Sequence, residues 1–289
     1  MVSATSRRSF LRHAAIAATT ACAVSSLPAL PLSAPEETRQ SRIKLGVCSY
    51  SFHKFDRAHV IDFVKQLNTP WLNVKDIGDH LPMKPASATD DALAAYKAAG
   101  IELTAAGVIY FPTKDPADIE QKFAYAKKIG VPLIVGSPTR ETLPAVEPFV
   151  KQYDIRLAIH NHGPEDKEWP SPLDVLKAIE PMDSRIGLCI DVGHTARTGT
   201  DVVAAIHKGG ARVFDIHMKD LADLSKKESQ VAVGDGKMPV RGIFEALNAI
   251  GYNGYVDLEY EIQESDPLPG MVKSFAFMRG VLAGMGYVD

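Results

Sequence analysis

The chain has 289 residues, 46% of them hydrophobic and 23% charged, with 21 Gly and 19 Pro. This is ordinary globular composition, long enough for one large domain with a substantial core. The formal net charge is -3, and no Lys/Arg block interrupts the region after the first 34 residues, which argues against nucleic-acid partners.

In chain order, Ser6-Arg7-Arg8-Ser9-Phe10-Leu11-Arg12 comes first, ahead of a mildly apolar, Ala-rich run from Ala14 to Leu30. A charged start before an apolar run is the layout of an export signal. The stretch resembles a twin-arginine signal, read by the Tat export machinery, and the expected location is the periplasm. A membrane span is not expected, because the run is short, contains Thr and Ser, and meets Pro28 and Pro31. Thr19 rather than Leu stands three residues before Cys22, which argues against lipid anchoring there. The expected organisation is a signal peptide over 1–34, a polar linker over 35–42 and one working domain over 43–289. Cleavage after Ala21-Cys22-Ala23 or nearer Ala34 stays open. With Cys22 in the signal, Cys48 and Cys189 fall in strand-like runs and read as buried free thiols.

From Ile43 the sequence alternates between strand and helix. Ile43–Phe52 reads as a strand and 57–67 as an amphipathic helix; Trp71–Leu81 is a strand running into a loop with Lys75, Asp76 and His80. A helix over 88–99 has capping residues in Ser87-Ala-Thr-Asp and a stop at Gly100. Strand 101–111, a helix opened by Asp115-Pro116 and stopped by Gly130, strand 131–138 and helix 143–153 follow. Then come strands ending in IHNH, IDVGH and DIHMKD, helices over 172–179 and 201–208, and a long loop from Leu221 to Pro239. Helix 240–250, strand 255–261 and helix 270–283 close the chain. Eight strand-then-helix units at a spacing of about 30 residues predict a (β/α)8 TIM barrel of the α/β class.

Leu157–Gly163, Gly187–Thr195 and Val213–Asp220 each begin apolar and end in His, Asp, Asn or Lys. In such barrels functional groups sit at the carboxyl ends of strands, so these ends predict a shared metal or catalytic site. Side chains two apart share a strand face, which groups His160 with His162, and His217 with Asp215 and Lys219. On the last strand Asp257, Glu259 and Glu261 share a face, and spacing alone does not choose among them.

The motifs IDVGH, DIHMKD and GDGKMPVRGIFEALNAIGYNGYVDLEYE resemble the xylose isomerase-like TIM barrel family of sugar isomerases, sugar epimerases, inosose dehydratases and endonuclease IV enzymes. The likeness runs from Ile43 to the C-terminus. It implies one divalent cation, Mn, Fe, Co or Zn, held by His160, Asp191, His217 and Glu259. His160 departs from the pattern, since many relatives place there a Glu that is one of two catalytic carboxylates in the epimerases. The family's closing pattern selects Glu259 as ligand and base, leaving Glu261 as a rim or ion-pair carboxylate. His162 and His194 are expected to face substrate as hydrogen-bond or proton-transfer groups. Lys219 and Lys75 are expected either to stabilise oxyanion charge or to pair with a nearby Asp. Tyr50, Phe52 and His80 are weaker candidates for the pocket wall.

The resemblance implies a metal-dependent isomerase or epimerase that forms an enediolate from a sugar or keto-sugar. The alternative is a lyase or hydratase acting on keto-sugars or keto-glycosides by β-elimination. A non-catalytic sugar-binding barrel is a further alternative. The endonuclease branch is disfavoured by the acidic balance and the export signal. The expected partner is a small carbohydrate; homo-oligomer formation stays open.

Overall fold

The computed structural model describes residues 39–288, so the export-signal reading over 1–34 lies outside the described residues. Runs rich in Val, Ile and Leu, apolar on both faces, suit parallel strands covered by helices. Among the described residues eight such strands form one closed barrel. They are β1 (Lys44–Cys48), β2 (Trp71–Val74), β3 (Glu102–Phe111), β4 (Leu133–Pro138), β5 (Arg156–His160), β6 (Ile186–Asp191), β7 (Val213–Met218) and β8 (Tyr255–Leu258). β8 closes the ring, pairing with β7 at Asp257 opposite His217 and with β1 at Tyr255 opposite Lys44. The expected (β/α)8 architecture is therefore present.

The outer layer is α1 (Arg57–Gln66), α2 (Ala86–Ala98), α3 (Pro116–Ile129), α4 (Leu143–Tyr153), α5 (Pro172–Ile179), α6 (Val192–Arg197), α7 (Val202–Gly209), α8 (Val240–Ala249) and α9 (Leu268–Gly284). Asp115 caps α3 through the Ala117 amide and Gly130 ends it with φ of 77°, as its sequence predicts. A smaller apolar cluster contains Ala158 and Cys189, which share strand faces with His160 and Asp191. The charged strand ends thus rest on an apolar floor. Cys48 and Cys189 are buried free thiols, as expected.

Several local expectations fail for physical reasons. β1 stops at Cys48, and Ser49–Phe52 is a 3-10 turn that carries Tyr50 over the barrel mouth. α2 begins after Pro85 with no side-chain cap, so Ser87 and Thr89 lie inside the helix; proline just before the first turn supplies the fixed φ that a cap would otherwise help to set. α6, a helix of 6 residues directly after β6, is too short to leave a periodic signal. Within the stretch read as linker, Arg39–Gln40 pairs in parallel with Tyr287–Val288.

Candidate active site

His160, Asp191, His217 and Glu259 come from the ends of β5, β6 and β7 and from just beyond β8. One ligand-type atom from each lies within 4.8 Å of the others, and all four residues are buried. His160 Nε2 is 3.0 Å from His217 Nδ1, 3.8 Å from Asp191 Oδ2 and 3.9 Å from Glu259 Oε2. These are the four residues that the family resemblance selected. Glu259 rather than Glu261 or Asp257 joins them: Glu261 reaches the rim, and Asp257 sits below, beside Gly46, where any Cβ would overlap its carboxylate.

Lys219 is only 3% exposed and lies among three carboxylates. Its Nζ is 3.1 Å from Asp191 Oδ2 and 3.0 Å from Glu259 Oε2, and it pairs closely with Glu261. Burial disfavours the ammonium, but Asp191, Glu259 and Glu261 outweigh it and raise the pKa well above the ordinary lysine value. Burial likewise pushes Glu259 up, yet Lys219 and His217 outweigh it and hold this carboxyl well below its ordinary range. At Asp191 burial prevails over Lys219, and the pKa rises to about 6. His160, buried and crowded by His162 and His217, is held well below the usual imidazole value and is neutral.

This donor set fits a divalent cation. Asp191 Oδ2 is buried without a hydrogen bond, and the four ligand-type atoms converge on one another within 4.8 Å. Two imidazoles and two carboxylates without thiolate suit Mn, Fe, Co or Zn. The Nε2 edge of His217 points down toward Asn73 Nδ2 at 3.2 Å, Cys48 Sγ at 3.4 Å and Asp215 Oδ2 at 3.7 Å. Burial disfavours the charged ring, but its Cys189, Cys48 and Glu259 neighbours outweigh it and raise the His217 pKa well above the ordinary imidazole value; with Glu259 Oε2 3.3 Å from Nδ1, a cation bound at Nδ1 must displace a proton there.

His162 and His194 line the cleft above, which has a volume of about 680 Å³. His194 Nδ1 lies 2.9 Å from Arg197 Nη2. Arginine can only donate, so the neutral ring carries its proton on Nε2, the nitrogen 3.9 Å from Asp191 Oδ2. Burial holds His194 far below the ordinary imidazole value. His162 Nδ1 lies 3.2 Å from Asp166 Oδ2, an orientation that leaves Nε2 available for proton transfer. Tyr50 and Lys75 also line the cleft. His80 does not: it is buried, with Nε2 2.9 Å from the Phe55 carbonyl. Phe52 is fully buried core. Both are apolar or half-polar rings after a strand, which sequence alone does not assign to core or cleft.

The sequence matches the xylose isomerase-like TIM barrel family over residues 61–281. The chain belongs to that family. Within it, the rhizopine catabolism protein MocC of Rhizobium meliloti is 28% identical over 134 residues, 40% of this chain and 41% of the relative. The inosose dehydratase of Geobacillus thermodenitrificans is 24% identical over 142 residues, 43% of this chain and 47% of the relative. The chain therefore spans less than half the length of these curated relatives. A solved structure of the IolI protein with a zinc atom superposes with a TM-score of 0.69 at 14% identity, covering 83% of this chain and 98% of that one; at that identity the likeness is one of fold.

Sequence reasoning missed four residues around the family site: Asn73, Asp166, Arg197 and Tyr110. Asn73 was legible only as a polar residue inside an apolar strand. Arg197 lies in α6, where its guanidinium joins His194 to Glu165 at 2.6 Å and to the His162 carbonyl at 3.3 Å. Gly163, with φ of 86°, leaves the room this guanidinium takes.

Proposed function

We propose that the protein is a divalent-metal-dependent enzyme that removes the proton beside the carbonyl of a keto-sugar and expels an oxygen substituent from the β carbon. The observation carrying this reading is the buried His160–Asp191–His217–Glu259 cluster, with Lys219 as its one ammonium. The cation held by those four residues would supply Lewis acidity toward the substrate's carbonyl and hydroxyl oxygens.

Glu259, ionised over the whole neutral range, takes the proton from the carbon beside the carbonyl. The Lys219 ammonium stabilises the negative charge that then develops on oxygen. His194 donates its Nε2–H to a substrate oxygen, the ring being fixed by Arg197. The electron pair left on carbon forms the new double bond as the β carbon–oxygen bond breaks. His162, acting as the imidazolium with Nδ1–H on Asp166, gives its Nε2 proton to the departing oxygen, which leaves as water or as an alcohol; Glu259 then releases its proton to solvent and His162 takes one up. The reverse sequence is hydration.

His160 supports elimination over epimerisation. A two-base epimerase needs an acid and a base on opposite faces of one carbon, and here the second place holds an imidazole whose Nε2 is turned into the cluster. The curated relatives named as dehydratases support the same choice, and the zinc in the IolI structure supports a metal. The test is to load the protein with Mn or Zn, measure metal content, and incubate it with keto-sugars and keto-glycosides in deuterated water. Released water or alcohol is expected. Inversion with deuterium at a single carbon and no eliminated product from any substrate would return the protein to the epimerases.

A further inference from the structure

We propose that the β2–β4 side of the cleft is a second-ring subsite, so that the substrate is a neutral glycoside whose second ring lies against Tyr110 while the reacting keto-sugar sits over the cluster. This rests on the functional reading above and names its substrate class.

The first observation is Tyr110, at the end of β3. It is 54% exposed, the most exposed large hydrophobic side chain among the described residues, yet it is held in place. The Lys75 ammonium lies 5.3 Å from its ring centroid, and the His162 ring is nearly parallel to it, at 20° and 6.3 Å. Lys75 is itself anchored by donating to the Val108 carbonyl at 3.1 Å, and it also lies 5.2 Å from the Tyr50 ring. An aromatic side chain fixed by its neighbours and still open to a cleft offers binding area at little entropic cost.

The second observation is placement. The His160 and His162 rings are 4.5 Å apart, so the wall of the cleft runs from the cluster through His162 to Tyr110 in two ring-to-ring steps. A sugar over the cluster has its next ring beside Tyr110. Ser137, register neighbour of Tyr110 on β4, also lines the cleft and adds a hydroxyl to this wall. The cleft volume of about 680 Å³ belongs to the size class that takes ligands larger than one hexose, about 300–1,000 Å³.

The third observation is charge. Glu165, Asp166 and Glu168 line the same cleft against Lys75 and the exposed Lys227, and Arg197 pairs with Glu165 at 2.6 Å, so the cations there are matched by carboxylates. An anionic second group, a phosphate or a carboxylate, meets no excess of positive charge. A neutral ring, sugar or arene, meets hydroxyls and an aromatic face.

The test is calorimetric binding to the zinc-loaded protein of one keto-sugar as its methyl, phenyl and glucosyl glycosides and as a phosphate ester. The phenyl or the glucosyl glycoside, whichever matches the natural second ring, is expected to bind about three- to tenfold tighter than the methyl glycoside. Tyr110→Ala should erase that preference and Tyr110→Phe should keep it. Equal affinity for all three glycosides, a preference that survives Tyr110→Ala, or tightest binding of the phosphate ester would overturn the subsite. Because binding is read without turnover, a second-ring preference in a protein that converts none of these compounds would leave the subsite standing and remove the proposed reaction. Elimination from the methyl glycoside with no second-ring preference would do the reverse.

Discussion

Each half of the barrel mouth carries one sheltered lysine, and the two lysines differ in everything that surrounds them. Lys219, at the β5–β8 half, stands among Asp191, Glu259 and Glu261. Lys75, at the β1–β4 half, stands between the Tyr50 and Tyr110 rings and a backbone carbonyl. Burial works against both ammonium groups. Carboxylates reverse the effect for Lys219 and raise its pKa, whereas for Lys75 burial prevails and the pKa falls. One half therefore keeps full charges in a dry place by pairing them, as proton transfer and charge stabilisation require. The other sets its ammonium against ring faces and a backbone carbonyl, a surface suited to a neutral group.

That division can be broken at its strongest point first. Glu259→Gln should reduce turnover by at least about 1,000-fold and weaken metal binding, because it removes the ionised carboxylate proposed as ligand and base while keeping shape. Glu261→Gln, at the rim, should cost less than about tenfold. Steady-state rates with metal content measured on the same samples decide between them, and equal losses would show that the reacting half does not end at Glu259.

A smaller effect is expected where the two sides of the reacting half are tied together. Arg197→Met should lower turnover by about 10- to 100-fold with metal stoichiometry unchanged, since it frees the His194 ring without touching a ligand. If metal is lost along with activity, Arg197 supports the cluster itself rather than the proton-transfer histidine.

The mildest test is pH. With its pKa at about 6, Asp191 must release a proton to ligate a cation below that pH, while His160 and Glu259, both shifted well downward, need release none there. His217, whose pKa is raised well above the ordinary imidazole value by Cys189, Cys48 and Glu259, must also give up a proton. Metal affinity should therefore rise by about tenfold per unit above pH 6 and change by about a hundredfold per unit below it. Calorimetric titration with zinc across that range reads the slope; a slope that does not steepen below pH 6 would mean that the Lys219 ammonium outweighs burial at Asp191.

Much of the reacting half was legible in the sequence. Its residues stand at the ends of strands, and strand alternation with the family's closing motif was enough to separate Glu259 from Glu261. The barrel was legible for the same reason, since the longer helices repeat an apolar stripe and most helices end at or beside a Gly. The binding half was not. Tyr50 leaves its strand in a 3-10 turn, Tyr110 is one aromatic among several in a long apolar run, and whether such a ring faces core or cleft depends on strand bulges that no local pattern records. Phe52, in the 3-10 turn after β1, and His80, in the loop after β2, were misassigned because outside a strand no alternation tells which way a ring faces. Arg197 was hidden because a helix of 6 residues has no period to read, and because Glu165 and the His162 carbonyl, which it joins to His194, lie on a different loop.

Asp191 has two oxygens with separate duties. Oδ1 accepts the His194 amide at 2.7 Å and so caps α6, while Oδ2 faces the cluster. The short side chain is what permits both: aspartate is a favoured helix cap, and the longer glutamate is not. At this position the two acidic residues are thus not synonyms, although either could bind a cation. An exchange of Asp for Glu would make the chain choose between holding the ion and starting the helix that carries His194 and Arg197, so the genetic code's most conservative acidic substitution is here a change of architecture.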